Sequence, residues 1–168
     1  MYLNNIAQVR GDGYLWLAQE RFRAAIGARG IVRHKEEGDR GTPAGLLALR
    51  RVLYRADRIA MPRCAVLTEP IARSDGWCDD PQHADYNRMI RVPHAGRHEA
   101  LWRDDALYDV IGVLGWNDAP VMPGRGSAIF LHAARPDYAP TAGCIALAPD
   151  DLIAVLARGL TAIEVIAQ

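Results

Sequence analysis

Ser127-Ala128-Ile129-Phe130-Leu131-His132, then the loop Ala133 to Ala142, then Gly143-Cys144-Ile145-Ala146-Leu147 and Pro149-Asp150-Asp151 make up the stretch on which the reading of this chain turns. The first run is apolar and follows the glycine-rich turn Pro123-Gly124-Arg125-Gly126, so it reads as a strand with His132 at its end. The second apolar run is another short strand, entered through Gly143 and Cys144. An early proline followed by Asp150 and Asp151 opens a helix, because proline's fixed φ suits the first turn and carboxylates favour the positive end of the helix dipole. That helix is predicted to run to about Ala157 and to stop at Gly159, after which Thr161 to Ile166 forms a closing strand.

Working outward, Leu107 to Leu114 is a β-branched apolar run bounded by charges and Gly115, which predicts a buried central strand. Tyr14 to Ala18 and Arg21 to Ile26 read as antiparallel hairpin strands. Ile31 to Gly45 holds three glycines and a proline and is expected to be an ordered loop. Leu46 to Arg55 alternates imperfectly after a turn signal, which favours a strand over a competing short helix. Residues 56 to 100 are rich in Pro, Asp, Arg and His without periodicity, so loops are expected to dominate there, and long loops in a compact domain are often binding loops. The fold class predicted from these elements is mixed but mainly β, with few helices.

A chain of 168 residues supports one hydrophobic core, so one domain over residues 1–168 is expected. Twenty basic and twenty acidic residues cancel, which removes any global field toward nucleic acid or an anionic membrane. The longest apolar runs fall far short of the roughly 20 residues that cross a bilayer. Met1 to Arg10 lacks the basic start and apolar stretch of a signal peptide, which taken alone favours the cytoplasm. Cys64, Cys78 and Cys144 are too few for a disulfide scaffold.

A cysteine nucleophile needs a base or positive partner close to its thiol and donors for the oxyanion that forms. His132 lies twelve positions before Cys144, across a loop short enough to bring the two together, and Gly143 allows close approach of backbone to a substrate carbonyl. Spacing alone does not separate this from a small buried cysteine and a hydrogen-bonded histidine.

The decision comes from a resemblance. His132, then Thr141-Ala142-Gly143-Cys144-Ile145 and the helix opening at Asp150-Asp151-Leu152, resembles the signature of the YkuD-like L,D-transpeptidases: histidine, loop, Ser or Thr, any residue, Gly, Cys, an aliphatic residue and a following helix. Upstream, Gly41-Thr42-Pro43-Ala44-Gly45 resembles the T-P-x-G loop of the same family, and the likeness touches roughly residues 21 to 166. It implies a YkuD-like β-sandwich catalytic domain acting on peptidoglycan stem peptides. Cys144 would be the nucleophile forming a thioester, and His132 the general base. The amides of Gly143 and Cys144, with Thr141, would hold the oxyanion. The implied acceptor is an amine of diaminopimelate, giving a 3-3 crosslink, or an unusual linkage such as 1-3 from L-alanine. Water as acceptor would give a carboxypeptidase, and loss of activity a peptidoglycan-binding module. The implied place of action is the periplasm. The chain departs from the family pattern at Ala146, where arginine or asparagine is common, at Ala142, where histidine is common, and in its short loop between His132 and Cys144.

Around this centre, Arg125 and Arg135 are candidates for binding stem carboxylates, since guanidinium forks suit them, although solvated loop arginine explains both equally well. Tyr138 is a candidate wall of the same cleft, and Trp77 and Asn117 lie in aromatic- and acid-rich loops suited to recognising sugars or amines. His83, His94 and His98, with Asp79 and Asp80, have the composition of a metal set, but their spacing fits no zinc pattern. No metal and no cofactor is expected. Cys64 and Cys78 either pair or remain buried thiols.

Overall fold

The computed structural model describes residues 5–167. In chain order the strands are β1 (Ile6–Arg10), β2 (Tyr14–Leu17), β3 (Glu20–Ala25), β4 (Ile31–Val32), β5 (Thr42–Pro43), β6 (Gly45–Tyr54), β7 (Thr68–Pro70), β8 (Asp75–Cys78), β9 (Met89–Arg91), β10 (His98–Ala100), β11 (Val110–Leu114), β12 (Phe130–Ala133), β13 (Ile145–Leu147) and β14 (Ala162–Ile166). The helix α1 (Pro149–Ala157) stands between β13 and β14. The fold is therefore mainly β, as the sequence predicts.

Nine strands form one sheet in the order β11-β12-β13-β3-β2-β1-β14-β6-β7, and β11 also pairs with β6, so the sheet closes on itself. Two strands make the closure by changing partner along their length. β6 pairs with β14 through Gly45 to Ala48 and with β11 from Leu49 to Tyr54. β3 pairs with β2 through Glu20 to Arg23 and with β13 at Ala24 and Ala25. Inside lies an apolar core that includes Val9, Leu15, Leu47, Leu131, Ile145 and Ile163. α1 adds Leu152, Val155 and Leu156, whose i, i+3, i+4 spacing turns one stripe inward. Burying each such side chain contributes about 1.5–3 kcal/mol. Gly159 follows the helix at φ 83°, a left-handed conformation that glycine adopts without a Cβ penalty.

The segment between β6 and β11 differs from expectation. Where loops are predicted over residues 56 to 100, the chain forms β7 and a second sheet, β10-β8-β9, antiparallel throughout. These strands are three or four residues long, and Asp75-Gly76-Trp77-Cys78 is buried at every position, so no period-two alternation marks it. This sheet lies over β11 and β12 through a second core that includes Trp77, Leu101, Tyr108, Ile111 and Phe130. The expected loop at Ile31 to Gly45 likewise contains the short parallel pair β4 and β5. β1, with only Ala7 and Val9 inward, is a further strand that the sequence reading did not name.

Candidate active site

β12 and β13 run parallel in the register Leu131↔Ile145, His132↔Ala146, Ala133↔Leu147. Paired residues share a face and successive ones alternate, so Cys144, two positions before Ala146, lies on the same face as His132. The small Ala146 side chain stands opposite the imidazole.

The turn carrying Cys144 is held from below by the Thr-Pro-Ala-Gly loop. Thr42 is fully buried, and its hydroxyl accepts the Gly27 N–H at 2.9 Å while donating to the Gly143 carbonyl at 2.9 Å. Thr141 ties the other side, donating to the Cys144 carbonyl at 2.6 Å and accepting the Gly143 N–H at 3.1 Å. Gly143 sits at φ 135°, and a Cβ there would lie 2.8 Å from the Gly41 carbonyl oxygen, so the position requires glycine. Among the described residues, no acceptor takes the Cys144 N–H, so this amide of the turn is free.

The thiol is neutral at rest. Cys144 Sγ donates to the Ala128 carbonyl at 3.2 Å and receives the Phe130 N–H at 3.4 Å. Burial, reinforced by the nearby Glu99 carboxylate, pushes the thiol up to about 12, and the Phe130 amide and Lys35 offset only part of this. Burial also lowers His132 below the ordinary imidazole value. Its Nδ1–H donates to the Ala133 carbonyl at 2.8 Å, which leaves Nε2 unprotonated and available as a base. Tyr108 stacks edge-on against the imidazole with ring centres 5.3 Å apart, and its hydroxyl donates to Glu99 at 2.7 Å. Burial raises the Glu99 carboxyl, an effect that the Tyr108 hydrogen bond opposes. Nearby, Lys35 is buried against Asp39. Burial works against the Asp39 charge, but Lys35 and the amides of Glu36 and Gly41 outweigh it and hold that carboxyl below its usual range.

Cys144, His132, Tyr108, Glu99, Lys35 and Thr141 line a cleft of about 510 Å³. Lys35, Arg40, Arg97, Arg103 and Arg135 supply positive charge to its walls, and Glu37, Asp79 and Glu99 supply negative charge. Of the predicted binding residues, Arg135 is in this lining. Tyr138 instead faces an adjoining apolar hollow and stacks under Arg23 at 4.1 Å. Trp77 and Asn117 are not brought to the cleft. Trp77 is buried, edge-on to Phe130 and donating to Asn87 at 3.0 Å. Asn117 clamps its own loop through Met122 and Gly126. Arg125 is exposed outside the lining. Glu99, Tyr108, Arg103 and Lys35 were not foreseen. Glu99 and Lys35 come from segments read as loops, Tyr108 from the start of the predicted central strand and Arg103 from just before it, and only Lys35, close before the Thr-Pro-Ala-Gly block, lay near a recognised motif.

The family model for the L,D-transpeptidase catalytic domain, YkuD, matches residues 6–165. The chain belongs to the YkuD family. Comparisons with curated proteins and with solved structures give no match. YkuD domains are L,D-transpeptidases that act on peptidoglycan stem peptides, and the match supports an L,D-transpeptidase function for this chain at family level. No helix among the described residues is long and apolar enough to cross a membrane.

Proposed function

We propose that this YkuD domain is a peptidoglycan L,D-transpeptidase in which Cys144 is the nucleophile and His132 the general base. The observation that carries the reading is the placement of Cys144 and His132 on one face of the β12–β13 pair, in the lining of a cleft of mixed charge. Such a cleft suits stem peptides, which present carboxylates and amines together. Thiol and imidazole both rest neutral, so the proton leaves Sγ for His132 Nε2 as sulfur attacks the carbonyl carbon of an L-configured donor residue. The Cys144 N–H donates to the oxyanion, joined by the Gly143 N–H once it turns from the Thr141 hydroxyl. Collapse breaks the peptide bond. The imidazolium protonates the departing amine, and a thioester remains on Cys144.

An acceptor amine, deprotonated by His132, then attacks the thioester and restores the thiol, leaving a new amide crosslink. Arg135 is the cleft arginine proposed to bind a stem carboxylate, since Arg103 already holds the Asp105 carboxylate through Nε and Nη2. The diaminopimelate side-chain amine is the proposed acceptor, in the periplasmic cell wall. Intact-protein mass spectrometry after incubation with purified muropeptides tests this, with wild type and Cys144→Ala in parallel. A thioester adduct on wild type alone, together with crosslinked dimers, is the expected result, and fragmentation of the dimers reads whether the link is 3-3 or 1-3. Shortened stems without dimers would make the protein a hydrolase. No adduct and no product would overturn the assignment of Cys144.

A further inference from the structure

Away from the cleft, the small sheet gathers a second set of sulfur and nitrogen donors. Cys78 at the end of β8, His83 in the turn that follows and His94 before β10 each offer a ligand atom within 4.8 Å of the others. Tetrahedral zinc with one thiolate and imidazole nitrogens holds its ligand atoms about 3.3–3.6 Å apart, by the usual bond lengths, so a modest contraction closes the group on an ion. The Cys78 side chain is wholly buried and unpaired with another cysteine. The His83 and His94 rings meet edge-on with centres 4.5 Å apart.

Three neighbours complete the arrangement. Asp85 lies against both rings, 3.6 Å from His83 Nδ1 and 3.1 Å from His94 Nε2, the latter the outer position from which a carboxylate orients an imidazole that binds metal through Nδ1. His98 stands opposite Cys78 in the β8–β10 ladder, and its Nδ1–H donates to the Gly96 carbonyl at 2.8 Å, leaving Nε2 bare. Gly96 packs on the His83 ring so closely that a Cβ would come within 2.9 Å of it. The contacts an ion would compete with are two backbone amides, of Asp85 and Gly96, that donate to His83 Nδ1 and His94 Nδ1 at 3.1 Å each.

We propose that Cys78, His83 and His94 bind a divalent transition metal of the zinc class, with the fourth position taken by His98 or water. One thiolate and several imidazoles favour zinc over magnesium or calcium, which take oxygen ligands. The ion is structural. It staples β8, its following turn and the approach to β10, and so holds Asp79 and Glu99, the neighbours of Cys78 and His98 that line the catalytic cleft.

The test is metal content by mass spectrometry of the full chain after zinc loading and desalting, made in a Cys144→Ala background to remove the cleft thiol. One zinc per chain is expected, with a rise in Tm on loading and, with cobalt, a thiolate charge-transfer band. Cys144→Ala/Cys78→Ala and Cys144→Ala/His94→Gln should each lose the metal and the band, while Cys144→Ala/Cys64→Ser keeps both. No bound zinc and no Tm rise in Cys144→Ala overturns the proposal, as does metal that survives both the Cys78 and His94 substitutions. The Tm rise is read without any ligand variant, so a Cys78 variant that fails to fold leaves the test intact. None of these readouts uses transpeptidase activity, so the proposal stands or falls separately from the function assigned to Cys144.

Discussion

Replacing Thr42 by valine removes one hydroxyl and breaks two buried hydrogen bonds at once, from the Gly27 N–H and to the Gly143 carbonyl. Neither group gains another partner in a fully buried site. A buried group left unsatisfied costs about 1–3 kcal/mol, and the carbonyl's second lone pair puts its share at the lower end, so the loss should be about 3 kcal/mol. For a domain of this size that lowers Tm by roughly 6–12 °C. Thr42→Ser keeps both bonds and loses only a methyl, about 1 kcal/mol. Chemical denaturation of the three proteins gives the energies. The substitution should also loosen the turn that buries Cys144, so iodoacetamide should alkylate Cys144 faster in Thr42→Val than in wild type, in a background where Cys64 and Cys78 are serine and alanine. A Thr42→Val protein within 1 kcal/mol of wild type, or one whose Cys144 reacts at the wild-type rate, would refute the claim that the Thr-Pro-Ala-Gly loop supports the nucleophile.

Glu99→Gln removes a negative charge that disfavours the thiolate, so the pH midpoint of Cys144 alkylation should fall below that of wild type; an unchanged midpoint would show that Glu99 does not act on the thiol. Because burial raises Cys144 from about 9 to about 12, the folded state holds its proton longer than the unfolded state does, so that contribution to stability is complete below about pH 9 and lost as pH rises toward 12. Denaturation of Cys144→Ala should show a shallower alkaline decline than wild type. Asp39→Asn leaves the Lys35 ammonium, its side chain only 3% exposed, without its partner, and should cost about 3–5 kcal/mol by denaturant titration. The depressed Asp39 carboxyl contributes stability that is complete above about pH 4 and lost as pH falls through its lower folded value, so the variant's deficit should shrink in acid. Gly143→Ala forces a Cβ against the Gly41 carbonyl at positive φ and should lose thioester formation in the mass assay while Thr42→Ser retains it.

The catalytic end of the fold was legible because its signals are local. Proline, two carboxylates and a terminal glycine bound α1 to the residues expected, and the runs ending at His132 and Leu147 became adjacent strands. Their starts moved inward, to Phe130 and Ile145, because Ala128 and Gly143 take positive φ and cannot extend the ladder. The small sheet was not legible. Trp77 looked like an exposed recognition aromatic because nothing local says that β8 is covered on both faces, and only the distant Phe130 and Leu101 make it core. Asn117 read as a ligand residue for the same reason: the carbonyls that it clamps are five and nine residues away, in a loop whose path depends on tertiary packing. The proposed metal set escapes a spacing test that assumes sequence-local ligands, since the ladder pairing of β8 with β10 brings Cys78 beside His98.

A neutral thiol beside a neutral imidazole shapes how this site discriminates. Were the pair an ion pair at rest, any small electrophile entering the cleft would meet a thiolate. Here the thiol proton is held by the Ala128 carbonyl, and Glu99 opposes its loss. The proton therefore moves only when something in the cleft stabilises the charge that sulfur passes on. In the proposed mechanism an acyl donor would do so by carrying that charge to an oxyanion within reach of the Cys144 N–H, so the cost of deprotonation would be met in the transition state rather than before binding. In the proposed reaction, a donor carboxylate held by Arg135 would align the scissile carbonyl over Sγ, which would make binding and activation one event.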